Sequence, residues 1–224
     1  LSVSAENDFL AAEDTTRLET AAYTGTDFRQ EGFTIQFKVG GQAFTMQSPG
    51  RHTLENALAA IAAVHPLGVS LAQCADALAT YEGIYRRHQL IAEKNGIYII
   101  DDYAHNPAKC AASIRACHPI APKVIAWFQP HGYGPTRFLR NDFVKEIGEA
   151  LREEDEIWMS EIFYAGGTAV KDISANDLIK DLQQLGKKAY FEEDREKLAS
   201  SLKPRISEPC VILLMGARDP GLEA

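Results

Sequence analysis

The sequence has little cysteine, no excess of positive charge and no long apolar run, and each shortage excludes a class of protein. Its cysteines include no CxxC pair, so we predict reduced, buried thiols and no structural zinc. A formal net charge of -8 argues against a general affinity for nucleic acid, because a polyanion requires a basic surface. No apolar run has membrane-spanning length and no signal segment opens the chain, which predicts a cytoplasmic protein with no membrane contact. The four cysteines are Cys74, Cys110, Cys117 and Cys210.

Two glycine-rich nucleotide motifs are also missing. No GxGxxG follows a predicted strand, which weighs against a nucleotide-binding dehydrogenase domain. There is no GxxxxGK[ST] phosphate loop, and Gly186-Lys187-Lys188 is no substitute, so the β- and γ-phosphates of a nucleotide would lack their usual cradle. The chain begins at Leu1 without an initiator Met, and we therefore expect it to be part of a longer protein.

The first part of the chain predicts a hairpin followed by two helices. Residues 33–47 alternate apolar and polar side chains around Gly40-Gly41, which is typical of a β-hairpin with a two-residue turn. Apolar residues at helical spacing over 53–64 predict one helix, and a second runs from its cap at Ser70 to about Thr80. A domain boundary is expected near Leu90, because this helical pattern ends at Tyr81 and the next pattern starts at Ile97.

Beyond that boundary, short apolar runs alternate with longer amphipathic ones, the pattern of a βαβ series. The fold class is therefore α/β, with a Rossmann-like, mostly parallel sheet and helices on its faces. Ligands of such sheets gather beyond the carboxyl ends of the strands. The predicted strands span 97–100, 124–128, 156–159, 189–191 and 211–215, and the predicted helices 108–117, 141–151, 175–185 and 195–202.

The segment IIDDYAHNP, residues 99–107, places polar side chains at the carboxyl end of the first of these strands. A carboxylate such as Asp102 can accept the ribose hydroxyls of a nucleotide, and His105 can orient a substrate or move a proton. Pro107 suits the first turn of a helix, whose amides favour an anionic ligand. The alternative is that Asp102 only caps the helix and His105 is an ordinary loop residue.

The segment FQPHGYGPTR, residues 128–137, follows the next strand. Its prolines and glycines fix the shape of a loop. His131, Tyr133 and Arg137 supply a titratable group, a hydroxyl and a permanent cation, which together suit a carboxylate or phosphate. The alternative is a rigid surface loop without a ligand.

Two motifs in the first part of the chain have weaker chemical signals. In GRHTLENALAA, His52 and Asn56 are four residues apart and share a helical face, where the amide of Asn56 could read an adenine edge. The alternative is a helix entry with Asn on its polar face. In the segment 85–88, YRRH, two arginines at a hinge can reach phosphate when domains close, unless they only solvate a linker.

Glycines follow two further predicted strands, at 162–169 and 214–221. They allow close approach of the backbone to a ligand, although turn geometry alone would also explain them.

Taken in this order, the motifs resemble those of the Mur ligase family. GRHTLENALAA is similar to its Gly-x-His-Asn-x-x-Asn element, YRRHQ to its Arg-Arg hinge, and DDYAHNP to its Asp-Tyr-Ala-His-x-Pro element. FQPHGYGPTR is similar to the Phe-Gln-Pro-His loop of the alanine-adding members, and MGARDP to their Met-Gly-Ala-Gly-Asp ending. The sequence departs from the family at Thr53, which replaces its first Asn, and at Gly132 and Pro135, where alanine-adding members commonly have arginines.

The resemblance implies that residues 1–90 are the C-terminal part of a central ATPase domain and residues 91–224 a C-terminal Rossmann-like domain. It implies an ATP- and Mg²⁺-dependent ligase of peptidoglycan precursor synthesis, which adds L-alanine to UDP-N-acetylmuramate through an acyl phosphate. The Mg²⁺ ligands would lie mainly upstream, so no metal ligand is predicted in this chain. Because the phosphate loop is missing, we predict that the chain alone is inactive.

By the same resemblance, Asn56 would contact adenine, Asp102 ribose and Arg87 the γ-phosphate, whereas other residues would face the incoming amino acid. The predicted nucleotide-binding residues are His52, Asn56, Arg87 and Asp102. The predicted substrate-binding residues are Tyr103, His105, Asn106, His131, Tyr133 and Arg137. The predicted catalytic residues are Arg87, His105 and His131.

Three alternatives to the alanine-adding activity stay open. One is a recycling ligase that attaches a peptide to the same sugar, and another is folylpolyglutamate synthase. The Phe-Gln-Pro-His loop weighs against both. The third is a non-catalytic nucleotide-binding module.

Overall fold

The computed structural model describes residues 3–5, 23–164, 166, 168 and 170–216. The chain forms two compact units, Leu1–Gly83 and Ile84–Ala224. This division falls earlier than the boundary expected near Leu90, because the strand Gln89–Lys94 pairs within the second unit.

The first unit contains a four-stranded sheet in the order β1-β2-β3-β4. Strand β1 runs parallel to β2, and the other neighbours are antiparallel. The predicted hairpin is confirmed as β3 and β4: Gly40 and Gly41 have φ values of 56° and 83°, the left-handed pair that a primed two-residue turn requires. Strand β2 was not predicted, because Gly25 and Asp27 disfavour a strand. The strands are β1 (Val3–Ala5), β2 (Tyr23–Glu31), β3 (Thr34–Val39) and β4 (Gln42–Met46).

The predicted helical pair is confirmed as α1 (Arg51–Val64) and α2 (Leu71–Ala79). Ser70 begins α2 with a reciprocal capping box, in which its hydroxyl accepts from the Gln73 amide and the Gln73 side chain accepts from the Ser70 amide. The buried faces of the hairpin and of α1 form one core. Its largest side chains are Ile35, Phe37, Phe44, Leu54, Leu58 and Ile61.

The second unit contains a six-stranded sheet in the order β5-β6-β10-β7-β8-β9, in which only the β5–β6 pair is antiparallel. All five predicted strands are present. Strand β5 was not predicted because it has no buried face and therefore no alternating pattern. The strands are β5 (Gln89–Lys94), β6 (Ile97–Asp102), β7 (Val124–Phe128), β8 (Glu156–Met159), β9 (Lys188–Phe191) and β10 (Cys210–Met215).

Helices cover both faces of this sheet. On one face α3 contacts α5, which contacts α6, and the ring centroids of Phe128 and Phe143 are 5.2 Å apart. On the other face Leu198 and Leu202 of α7 pack against alternate residues of β7 and β10, including Trp127. The helices are α3 (Pro107–Cys117), α4 (Tyr133–Phe138), α5 (Arg140–Ala150), α6 (Ala175–Gln184) and α7 (Leu198–Leu202).

Two predicted segments are corrected by the structure. The helix expected over 195–202 begins as a 3-10 turn at Arg195–Lys197, and only Leu198–Leu202 is α-helical. The segment 128–137 was predicted to be a loop, yet Tyr133–Phe138 is a short helix. Pro135 lies in its first turn, where the missing N–H has no helical acceptor to lose.

The four cysteines are free and buried, as predicted. Burial, and next the charge of Asp102, raises the pKa of Cys110 and Cys117 well above the usual thiol value, so neither is a thiolate near neutral pH. Among the residues that the structure describes, no helix is long and apolar enough to cross a membrane.

Candidate functional site

The segments that follow β6, β7, β8 and β10 lie at one edge of the second sheet, because these four strands are parallel. Backbone hydrogen bonds connect them there. The Gln129 amide donates to the Met215 carbonyl at 3.1 Å, and the Gly216 amide to the Asp102 carbonyl at 3.3 Å. The Phe163 amide donates to the Pro130 carbonyl at 2.8 Å. We call this edge the carboxyl rim.

The two predicted polar clusters, 99–107 and 128–137, meet at the carboxyl rim. The ring centroids of His105 and His131 are 5.9 Å apart, and both residues are half-buried. Tyr103 lies against His105, with ring centroids 5.5 Å apart. The structure therefore places three predicted substrate-binding side chains beside one another.

A backbone contact settles the tautomer of His105. Its Nδ1 lies 2.8 Å from the Tyr103 carbonyl oxygen, which can only accept a hydrogen bond. Nδ1 is therefore the protonated nitrogen, and in the neutral ring Nε2 carries the lone pair. His105 thus has the form that a proton acceptor requires.

Arg87 is exposed at the same rim, with its guanidinium carbon 5.2 Å from the centre of the Tyr103 ring. Its neighbour Arg86 is buried instead. Arg86 donates through Nε to Asp101 Oδ2 at 2.7 Å and through Nη2 to the Gly216 carbonyl at 3.0 Å. Only one of the two arginines in the YRRH segment therefore presents its charge to solvent.

Asp102, the predicted ribose ligand, lies largely inside the unit. It is 8% exposed and accepts a hydrogen bond from the Ser113 hydroxyl at 2.7 Å. His88 Nδ1 lies 3.6 Å from the same carboxylate oxygen. The carboxylate is thus fixed from the side of α3.

Three other predicted substrate-binding residues have structural partners. Asn106 caps α3 by accepting from the Lys109 amide at 2.9 Å, so the cap of this helix is Asn106 rather than Asp102. Tyr133 is buried against Tyr164, with ring centroids 5.8 Å apart. Arg137 is exposed and pairs with Asp172.

Lys171 was not predicted from the sequence. Its ammonium lies 4.4 Å from the centre of the Tyr164 ring and 5.8 Å from that of Tyr133. It adds a cation beside the segment 128–137. Because Lys171 is exposed and lies in no recognisable motif, no sequence signal could have identified it.

His52 and Asn56 belong to α1 of the first unit and lie four residues apart on it. Asn56 is exposed and His52 is half-buried. Thr53, between them, is buried and donates from its hydroxyl to the Pro49 carbonyl at 2.9 Å. The last predicted segment, 214–221, is described only as far as Gly216, and residues 165, 167 and 169 of the segment 162–169 also lie outside the described residues.

The segment that carries the carboxyl rim matches a known family. Residues 86–218 match the model of the Mur ligase, glutamate ligase domain. The chain belongs to the Mur ligase family.

Sequence and structure comparisons give the same family. The chain is 32% identical over 220 residues to a UDP-N-acetylmuramate–L-alanine ligase of Acetivibrio thermocellus, covering 97% of this chain and 44% of that protein. The structure of the MurC ligase of Thermotoga maritima superimposes with a TM-score of 0.71 and 29% identity, covering 90% of this chain and 44% of that one. The MurF ligase of Thermotoga maritima in complex with ADP shares the fold, with a TM-score of 0.63, 20% identity, and coverage of 92% and 45%.

These matches identify a Mur ligase chain that spans less than half the length of the relatives it resembles. The predicted resemblance to this family is therefore confirmed, and so is the fold class. The roles of the individual site residues remain predictions, which the geometry of the carboxyl rim makes specific.

Proposed function

We propose that this chain contributes the amino-acid pocket and part of the nucleotide site of a cytoplasmic, ATP-dependent ligase. The ligase joins L-alanine to the carboxylate of UDP-N-acetylmuramate in peptidoglycan precursor synthesis. The observation that carries the proposal is the meeting of His105, His131 and Arg87 around Tyr103 at one rim of a parallel sheet. We propose likewise that the first unit is the end of the central ATPase domain and the second unit the C-terminal domain, with the boundary at residue 83 in place of the predicted residue 90.

In the proposed reaction, a carboxylate oxygen of the sugar substrate attacks the γ-phosphorus of ATP, giving an acyl phosphate and ADP. The amine of alanine then attacks the acyl carbon, phosphate leaves and an amide forms. The amine must lose a proton during this attack. His105 suits that task, because its Nδ1–H is held by the Tyr103 carbonyl and its Nε2 can take up a proton.

Cationic side chains at the rim suit the negative charge that develops on the phosphoryl and acyl oxygens. Arg87 is exposed and planar, and it can form two parallel hydrogen bonds to a phosphate. Lys171 lies beside the segment 128–137, where Gly132 and Pro135 bring no charge of their own. We propose that Arg87 contacts the γ-phosphate and that Asn56 contacts adenine.

Within the described ranges, the carboxylates nearest the rim fit Mg²⁺ poorly. Asp101 is bound by Arg86 and Asp102 by Ser113, and both carboxylates are buried, which does not suit a Mg²⁺ ion that keeps several waters. We therefore propose that the Mg²⁺ ligands lie mainly upstream of this chain. Asp102 would hold the end of β6 and, as the resemblance implies, contact the ribose of the nucleotide.

The test uses the protein at the full length that its gene encodes. Phosphate release is measured with ATP, Mg²⁺ and UDP-N-acetylmuramate, adding each amino acid in turn. We expect release that depends on L-alanine and falls at least tenfold in Arg87→Ala, the effect of losing about one charge-assisted hydrogen bond. The matched control Arg115→Ala removes an exposed arginine of α3 and should be unchanged.

Two other results would redirect the assignment. Release that depends on a peptide and not on alanine would favour the recycling ligase. No ATP turnover with any acceptor, in a folded protein of full length, would reject the ligase and favour a nucleotide-binding module.

A further inference from the structure

Arg87 is held between two residues with unusual backbone conformations. Arg86 and His88 have φ values of 55° and 49°, in the left-handed region that non-glycine residues seldom adopt. Such conformations persist only where surrounding contacts enforce them, and they cluster at functional sites. The contacts that hold Arg86 and His88 in these conformations are therefore of interest for the function of Arg87.

Both side chains are buried and engage consecutive carboxylates at the end of β6. Arg86 is 9% exposed and binds Asp101, whereas His88 is 6% exposed and approaches Asp102. Successive residues of a strand point to opposite faces of the sheet. The segment 86–88 therefore contacts the end of β6 on both faces of the sheet.

His88 belongs to a buried network that also involves α3. Its Nδ1 lies 3.3 Å from the Ser113 hydroxyl oxygen, and its Nε2 lies 3.6 Å from Cys117 Sγ. The Ser113 hydroxyl in turn donates to Asp102. The imidazole is therefore fixed on both of its nitrogen sides.

The backbone of the segment is fixed as well. The Tyr103 amide donates to the Arg86 carbonyl at 2.8 Å, and the Gln89 side chain accepts from the Arg86 amide at 2.9 Å. Between the buried side chains of its two neighbours, the Arg87 side chain is exposed and lies over the Tyr103 ring.

We propose that His88 is a positioning residue for Arg87. Together with Arg86 it holds a strained segment on Asp101 and Asp102, so that the Arg87 guanidinium is already in place when the nucleotide binds. Such preorganisation avoids the ordering of a flexible arginine during catalysis. The inference rests on the proposed contact of Arg87 with the γ-phosphate.

The test compares His88→Gly with His88→Asn in the protein of full length. Glycine accepts the left-handed φ without strain but removes the anchor. Asparagine also tolerates this conformation and places a polar atom near the position of Nδ1. We expect His88→Gly to lower kcat/KM for ATP about tenfold, comparable to losing one charge-assisted hydrogen bond, and His88→Asn to restore most of it.

A double-mutant cycle separates positioning from general damage to the fold. If His88 acts through Arg87, His88→Gly should have no further effect in an Arg87→Ala background. The proposal would be overturned if His88→Gly lowered kcat/KM equally in the parent protein and in Arg87→Ala. It would also be overturned if His88→Gly alone left kcat/KM unchanged. The matched control is Asn95→Gly, another left-handed residue, in the β5–β6 turn at the opposite edge of the sheet, and it should leave kcat/KM unchanged.

Two further measurements cover the remaining outcomes. If His88→Gly does not fold, Ser113→Ala is used instead, because it loosens the same network and keeps the imidazole. We expect Ser113→Ala to lower kcat/KM for ATP a few-fold, and to have no such effect when Arg87 is already replaced by alanine. The NMR order parameter of the Arg87 amide tests positioning without any activity. This order parameter should fall from a rigid value of about 0.85 to below about 0.6 in His88→Gly, or in Ser113→Ala if that variant is used. An unchanged order parameter would refute the positioning role, whereas a fall accompanied by a fully active Arg87→Ala would refute only the phosphate contact.

Discussion

His105 has the most specific chemical prediction at the residue scale. Its protonated Nδ1 is fixed by the Tyr103 carbonyl, so that Nε2 is the atom able to accept a proton from the attacking amine. We expect His105→Ala to lower kcat roughly 10²- to 10⁴-fold, the usual effect of losing a general base. KM for ATP should change little, because the histidine is proposed to face the amino acid. A steady-state comparison with matched thermal melting curves checks this, and an unaltered kcat would remove His105 from the mechanism.

Gly132 offers a second test, because Gly186 has nearly the same φ and lies away from the carboxyl rim. The two φ values are 76° and 74°, so alanine should lower the free energy of unfolding at both positions, by at least roughly 1 kcal/mol. Only Gly132 lies at the carboxyl rim, where its amide donates to the Phe163 carbonyl at 3.0 Å. Alanine there would also bring a Cβ 3.3 Å from Pro135 Cδ.

We therefore expect Gly132→Ala to lower ligase activity, whereas Gly186→Ala should lose stability and keep its activity. Urea unfolding and phosphate release are measured on both variants. Equal activity in the two would mean that the shape of the segment 128–137 does not matter for catalysis.

The sequence predicted the residues that meet at the rim, but not how each is used. His105 and His131 could be paired in advance because the carboxyl ends of parallel strands share an edge. Arg86 was predicted to reach phosphate, which is wrong because its side chain is buried on Asp101 and the Gly216 carbonyl. Lys171 was missed, since its role depends on the aromatic rings that it faces. Such partners lie far away in the sequence, so a local sequence pattern cannot predict these contacts.

At the scale of elements, Asp155 joins the helix layer to the start of β7. It is 1% exposed, and its carboxylate accepts from the Val124 amide at 2.8 Å and from the Arg152 amide at 2.9 Å. Burial acts to raise the pKa of Asp155. The side chains of His118 and Arg152 and the two amides outweigh it, and they hold this pKa well below the ordinary carboxyl value.

A depressed folded-state pKa gives stability that is present above the unfolded-state pKa and lost as the pH falls toward the folded one. The contribution of Asp155 should therefore decline below about pH 4, near the ordinary aspartate pKa. We expect Asp155→Asn to lower the free energy of unfolding at pH 7 by about 1.5–3 kcal/mol, the value of hydrogen bonds to a charged group. Between pH 4 and 2, the free energy of unfolding of the variant should fall less steeply than that of the parent protein, as measured by urea unfolding.

The control for this prediction is Asp27→Asn in the first unit. Its ion pair with Lys38 also lowers the pKa of Asp27, but both side chains are more than half exposed. Exposed pairs contribute little to stability, so this variant should unfold like the parent protein. If Asp27→Asn lowered the free energy of unfolding as much as Asp155→Asn, burial would not be the reason for the stabilising effect of Asp155.

The elements that were predicted correctly are those with one buried side or a recognisable turn. The strand β7 is wholly apolar, and the hairpin has its two glycines. The strands β2 and β5 lacked these signals: β2 contains Gly25 and Asp27, and β5 is almost entirely exposed. Strands of this kind are stabilised by pairing with neighbouring strands, which is a property of the sheet and not of the segment.

At the scale of the whole molecule, the family membership and the missing phosphate loop together give a final prediction. The chain holds the carboxyl rim but has no GxxxxGK[ST] sequence to bind the β- and γ-phosphates. In phosphoryl transfer that loop supplies most of the positioning of the nucleotide. Arg87 alone cannot replace it, since one guanidinium holds one phosphate edge.

We therefore expect the 224-residue chain to fold but to release no phosphate from ATP above background, with or without UDP-N-acetylmuramate and alanine. The protein of full length should turn over under the same conditions. Circular dichroism establishes that the shorter chain is folded, which makes its inactivity informative. Turnover by the chain alone at a rate near 1 s⁻¹ or above, within the usual range for enzymes, would show that it holds a complete phosphate site of a kind its sequence does not reveal.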